Sequence, residues 1–87
     1  MSQGEIDVLA ERQRQIEIEG WTPEHDEEVN TDGELVRAAV CYAVLALHDD
    51  WWPWADVWWK PKNRRRDLVR AAALIIAEID RLDRTGR

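Results

Sequence analysis

The chain has 87 residues, enough for one domain at most, and size scaling gives it a folded surface of roughly 5,300 Å² against roughly 14,800 Å² unfolded. Twelve basic and eighteen acidic residues leave a net charge of −6, which argues against general DNA binding but leaves room for a local basic site. A hydrophobic content of 45% that includes six Trp disfavours disorder.

The first predicted helix covers about residues 5 to 19. Ile6, Leu9, Gln13 and Ile16 recur at helical spacing, with Val8 and Ile18 beside them, and mark the face expected to turn inward. Glu11, Arg12, Arg14, Glu17 and Glu19 fall on the opposite face and read as solvated. Gly20 suits the left-handed position that ends many helices.

A loop follows over residues 20–32, with Trp21-Thr22-Pro23-Glu24-His25-Asp26-Glu27-Glu28 as its body. Thr31 with Glu34 three positions on makes a capping-box pattern for the second helix. Between Leu35 and Leu47 only Arg37 is charged, so this helix is apolar on nearly every side. Such a helix needs cover on nearly every side, which calls for a central position or a second subunit. Its longest uncharged apolar run, residues 38–47, is too short to span a bilayer. The start of the chain has no basic region followed by an apolar run, so a soluble, cytoplasmic protein is expected. Cys41 is the only cysteine, which excludes an internal disulfide framework and a Cys-based zinc site.

Pro53 and Pro61 rule out a regular helix through the next segment. Asn63 is a good N-cap for a third helix that continues to about Arg84. Leu68, Ala72, Ile75, Ile79 and Leu82 make its expected inward face, widened by Leu74 and Ile76. No strand pattern stands out. The fold class expected is therefore all-α: one small bundle of three main helices with a Trp/Pro-rich loop, in an oligomer.

The net charge hides an asymmetry. Residues 1–34 carry eleven acids and two bases, whereas residues 60–87 carry nine bases and four acids. Five of the six Trp lie between Trp51 and Trp59, immediately before Lys60, Lys62, Arg64, Arg65 and Arg66. Indole faces stack on nucleobases at about 1–3 kcal/mol each, and neighbouring cations hold phosphate. The first turn of the third helix adds backbone N–H donors and the positive end of its dipole. Planar stacking surface beside phosphate-binding groups is what a nucleotide needs. The plainer alternative is that the Trp rings pack a small core while the Arg residues pair with the acidic half.

Two other constellations are weaker. His25 with Glu24, Asp26, Glu27 and Glu28 has oxygen ligands for a divalent cation or an acid and a base, although adjacent residues seldom all converge on one ion. His48-Asp49 has the form of a metal-phosphohydrolase pair, but a chain with two histidines lacks the further ligands.

Several stretches together carry a family likeness: Glu19-Gly20-Trp21-Thr22-Pro23-Glu24-His25-Asp26, Cys41-Tyr42-Ala43, Trp52-Pro53-Trp54, Trp58-Trp59-Lys60-Pro61 and Arg65-Arg66-Asp67-Leu68-Val69. They resemble a family of small phage and prophage proteins over nearly the whole chain. The resemblance implies a phage protein acting inside a bacterial host. Phages encode small oligomeric proteins that sequester nucleotide immune signals, cyclic dinucleotides among them, and this chain is similar to those in general character.

The leading expectation is a homo-oligomer that binds a nucleotide-like anion without turnover, with no cofactor. Trp54, Trp58 or Trp59 would stack on the base, Lys60, Lys62, Arg65 and Arg66 would meet phosphate, and Trp21 and His25 would close the pocket. The alternatives are a metal-dependent nucleotide phosphohydrolase using the acids of residues 24–28, and a protein–protein interaction module that docks through its Trp-rich loop.

Overall fold

The computed structural model describes residues 1–22 and 32–86. Every regular element among them is helical, as expected. Helix α1 runs Gln3–Glu17, α2 Glu34–Ala43, α3 His48–Trp51 and α4 Arg64–Thr85; 3₁₀ turns at Leu45–Leu47 and Asp56–Trp58 complete the set. The surface of 5339 Å² is close to the value expected from chain size.

Helix α1 begins earlier than periodicity suggested, because Ser2 and Glu5 form a reciprocal capping box. It ends at Glu17 with Ile18 as its C-cap, two residues sooner than expected, and Gly20 beyond the cap takes the left-handed conformation at φ +74°. The Trp21 N–H then returns to the Gln15 carbonyl at 3.0 Å, which folds the chain back against the end of the helix. Helix α2 starts from Gly33, at φ +82°, with no side-chain cap; the proposed Thr31 cap lies outside the described residues. It also stops four residues short of Leu47. Val44 leaves the helical region at φ −130°, ψ 89°, and Arg64 Nη1 donates to the freed Ala43 carbonyl at 2.6 Å. A cation from a distant segment thus caps this helix and lets the chain turn into the Trp-rich loop. Asn63 caps α4 as expected, accepting from the Arg66 N–H at 2.9 Å.

The core lies between α2 and α4. Leu35, Ala38, Ala39 and Tyr42 meet Ala71, Leu74 and Ala77, and Trp21, Trp52, Trp54 and Trp59 close its edge. Four alanines on the facing surfaces let the two backbones approach closely, while Leu35, Leu74 and Tyr42 supply most of the apolar bulk.

The expected inward faces of the two longest helices are corrected. On α4, Leu68, Ile75 and Ile79 are 41–51% exposed, while Ala71, Leu74 and Ala77 turn inward; of the expected face only Leu74, one of the two residues that widened it, is fully buried. Residues 71–77 are apolar throughout, so periodicity alone leaves the inward direction open. Ala71 and Ala77 meet Ala38 and Ala39 where the two backbones come close, and Leu74 is the large side chain that α4 adds to this contact. On α1, Ile6 and Leu9 are about half exposed, whereas Glu11 and Arg12, from the side read as solvated, are buried together with Gln15. These polar groups tolerate burial because they are partnered: Arg12 donates to the Trp21 carbonyl at 3.2 Å, and Glu11 accepts from two arginines. Helix α2 is not wrapped on every side either, since Val36 is 40% exposed.

Candidate functional site

The Trp-rich loop divides its rings between packing and exposure. Trp59 sits among Tyr42, His48 and Trp52, with ring centroids at 4.8, 4.6 and 4.8 Å, and is stacked on the imidazole. Trp54 lies 5.0 Å from Trp21 and edge-on to Trp52 at 5.3 Å. Aromatic pairs at these separations are packing contacts in their own right. Trp58 is different: it is 46% exposed and has Lys60 Nζ 5.8 Å from its ring centroid. Of the three indoles expected to stack on a base, Trp58 offers the most open surface. Trp51 is equally exposed but stands apart from the basic segment in sequence.

His48 braces the loop. Its Nδ1 lies 3.1 Å from Asp49 and its Nε2 3.2 Å from Asp56, joining the start of α3 to the second 3₁₀ turn. Tyr42 fixes the exit. Its hydroxyl accepts from the Lys60 N–H at 3.2 Å, and the Arg70 guanidinium lies over its ring while donating to the Lys60 carbonyl. Burial pushes the Tyr42 phenol above its ordinary pKa, against the lowering by the Lys60 N–H and Arg70. The Lys62 N–H donates to the buried Asp67 carboxylate at 2.8 Å, which fixes the approach to α4.

The basic run itself splits. Arg64 caps α2. Arg65 Nη1 pairs with Asp7 at 2.8 Å, and Arg66 pairs with Glu11. Glu11 also receives Arg14 through two donors at 2.8 Å each. Burial would raise the Glu11 pKa, but the hydrogen bonds from Arg14 and Arg66 more than offset it and hold the carboxyl below its usual range. Pairing of the cations with the acidic half is the plainer arrangement weighed above, and it is present here.

Between α1 and the start of α4 these groups line a groove of about 440 Å³, with Arg14, Arg65, Arg66 and Asn63 around Asp7 and Glu11. Arg14 and Glu11 then continue into a narrow cleft of about 10 Å³ bordered by Trp21, Trp58, Lys60 and Arg70. The cleft is too small for a ligand, yet it makes the cationic groove and the exposed indole parts of one continuous surface. Arg65 and Arg66 therefore share one groove, with Lys60 and Trp58 along the same surface. Lys62 is exposed beside them without lining either hollow. Trp54 and Trp59 are committed to packing, and His25 and the acids of residues 24–28 lie outside the described residues. Arg14 was not expected here. Its spacing from Glu11 looks like an ordinary surface pair, and nothing local reveals that Arg66 completes the set.

Among the described residues no group of three or more His, Cys, Asp or Glu side chains is placed to hold a metal ion. Cys41 is buried, and burial raises its thiol pKa, so the thiol stays protonated at neutral pH. No described helix is long and apolar enough to cross a membrane. Comparison with protein-family models, with curated proteins and with solved structures gives no match.

Proposed function

We propose that this protein is a homo-oligomeric, phage-encoded binder of a nucleotide-like anion, a cyclic dinucleotide or related signal, that holds its ligand intact. The observation that supports it is the shared position of Arg14 and Glu11, which border both the cationic groove and the cleft beneath Trp58 and Lys60. A phosphate in the groove meets the Arg65 and Arg66 guanidinium groups and the N-terminal turn of α4. A guanidinium offers five N–H donors, and the single Asp7 oxygen in contact with Arg65 Nη1 leaves that capacity largely unspent. A base attached to that phosphate then stacks on Trp58, with Lys60 beside it.

The test is to incubate the protein with a panel of nucleotides and cyclic dinucleotides, with and without magnesium, then denature it and identify what is released. Intact ligand recovered under both conditions supports sequestration. Magnesium-dependent products support the phosphohydrolase instead. No binding at tens of micromolar overturns both. Trp58→Ala and Arg65→Ala are each expected to weaken binding about tenfold, the scale of one stacking or one charge-assisted contact. Trp58 is 46% and the Arg65 side chain 62% exposed, and circular dichroism of each variant separates a loss of binding from a loss of the α1–α4 contact that Arg65 makes through Asp7.

A further inference from the structure

The two sides of α4 are used differently within one chain. The side toward α2 is small and apolar, flanked by the buried charges Asp67, Glu78 and Arg81. The other side carries Leu68, Ala72, Ile75, Ile79 and Leu82, spaced 4, 3, 4 and 3 residues apart. That alternation is the seam of a coiled coil sustained for two heptads. Leu68, Ile75 and Ile79 on this seam are 41%, 45% and 51% exposed. Charged groups are thus buried while a heptad seam faces outward. Beside the seam, Gly4, Val8 and Leu9 of α1 and Ile76 of α4 line an apolar groove of about 390 Å³, with Leu9 itself 50% exposed.

We propose that two copies of the chain pair through this face, α4 against α4 and antiparallel, about a two-fold axis near Ile75. The proposal rests on the oligomeric part of the function given above and not on its ligand. Three features select a second copy as the occupant. First, the seam is self-complementary. Ile75 is midway between Leu68 and Leu82, so antiparallel pairing sets Leu68 on Leu82 of the second copy and the small Ala72 opposite the larger Ile79.

Second, the ends of the helix carry complementary charge. Arg65 stands at the N-terminal end of the seam, 62% exposed and with one contact to Asp7 that leaves most of its N–H donors open, and the exposed Asp80 and Asp83 stand near its other end, where Arg84 also has a partner within the chain. Antiparallel pairing brings Arg65 toward Asp83 of the second copy, whereas parallel pairing would set Arg65 against Arg65. Third, the face extends past one helix onto Val8 and Leu9. A stable interface of about 800 Å² per partner needs that breadth.

Sedimentation equilibrium of the full chain is expected to give twice the 10.2 kDa monomer mass at tens of micromolar. Ile75→Glu and Ile79→Glu are each expected to give the monomer mass with unchanged helical circular dichroism, because neither side chain belongs to the core of the single chain. Charged variants that remain dimeric put the interface elsewhere and overturn the proposal; so does a wild-type monomer. Ile75→Cys adds a geometric test. On mild oxidation it is expected to give a covalent dimer, and Val57→Cys, at a position 73% exposed on the Trp-rich loop, is not. Equal cross-linking at both positions overturns the two-fold geometry, and the buried Cys41 contributes no background. A dimer of this kind that binds no nucleotide supports the interface and overturns only the ligand proposal.

Discussion

Glu11 is the residue at which the acidic and basic parts of the chain meet. Its carboxylate is 1% exposed and takes hydrogen bonds from Arg14 and Arg66, whose guanidinium groups remain about one-third exposed. Removing one partner of a fully buried pair costs about 3–5 kcal/mol; the partial exposure of the arginines puts Glu11→Gln nearer 2–3 kcal/mol. Because its folded pKa is depressed, the charge of Glu11 stabilises the fold above the unfolded value of about 4.3. That contribution is lost as pH falls through the folded value. Urea unfolding of wild type and Glu11→Gln is therefore expected to differ at pH 7 and to converge progressively as pH falls from the unfolded value toward the depressed folded one. An equal difference at every pH would show that packing, not charge, is the source. Tyr42→Phe removes the acceptor of the Lys60 N–H while keeping the ring in its aromatic cluster, so a loss of about 1 kcal/mol is expected in the same unfolding measurement.

At the level of elements, what was legible is what local chemistry decides. The left-handed turn at Gly20 just past α1, Asn63 capping α4 and the absence of α-helix from Pro53 to Pro61 all follow from the properties of those residues alone. The inward faces were not legible, because facing surfaces choose each other by volume. Ala38 and Ala39 meet Ala71 and Ala77 with Leu74 beside them, and no feature of α4 by itself announces which of its apolar residues turn inward. The early end of α2 was hidden for the same reason, since its cap is Arg64, 21 residues away. The candidate groove was half legible: the basic run at its mouth is visible in the sequence, and Arg14 and Glu11 on α1 are not. Leu74→Ala is expected to cost about 2–5 kcal/mol, the range for deleting a buried leucine. Ile75→Ala, measured at concentrations that keep the chain monomeric, is expected to cost less than about 1 kcal/mol. Thermal unfolding of the two variants checks the assigned face, and a reversed order of costs would contradict it.

In the whole molecule two kinds of cohesion divide the work. Helices α2 and α4 meet through Leu35, Ala38, Ala39, Tyr42, Ala71, Leu74 and Ala77, a contact with no titrating charge at its centre. Helix α1 is held to α4 by the Asp7–Arg65 and Glu11–Arg66 pairs, and its own apolar residues Ile6 and Leu9 stand largely outside. The Asp7 carboxyl, like that of Glu11, is held below its ordinary pKa, here by hydrogen bonds from Gln3 and then Arg65. Both acids favour the docked helix above their unfolded values of about 3.9 and 4.3 and stop doing so once protonated. Acidification is therefore expected to release α1 before it opens the α2–α4 core, a sub-global step of the kind seen when contacts of unequal strength join one domain. Hydrogen exchange resolved by segment, followed from pH 7 downward past the unfolded values of these acids and corrected for intrinsic rates, is the measurement. Protection over residues 6–17 is expected to fall steeply with falling pH while residues 71–81 keep most of theirs. Parallel loss in both segments would mean that α1 and the apolar core unfold as one unit, and that the ionic contacts do not set the order.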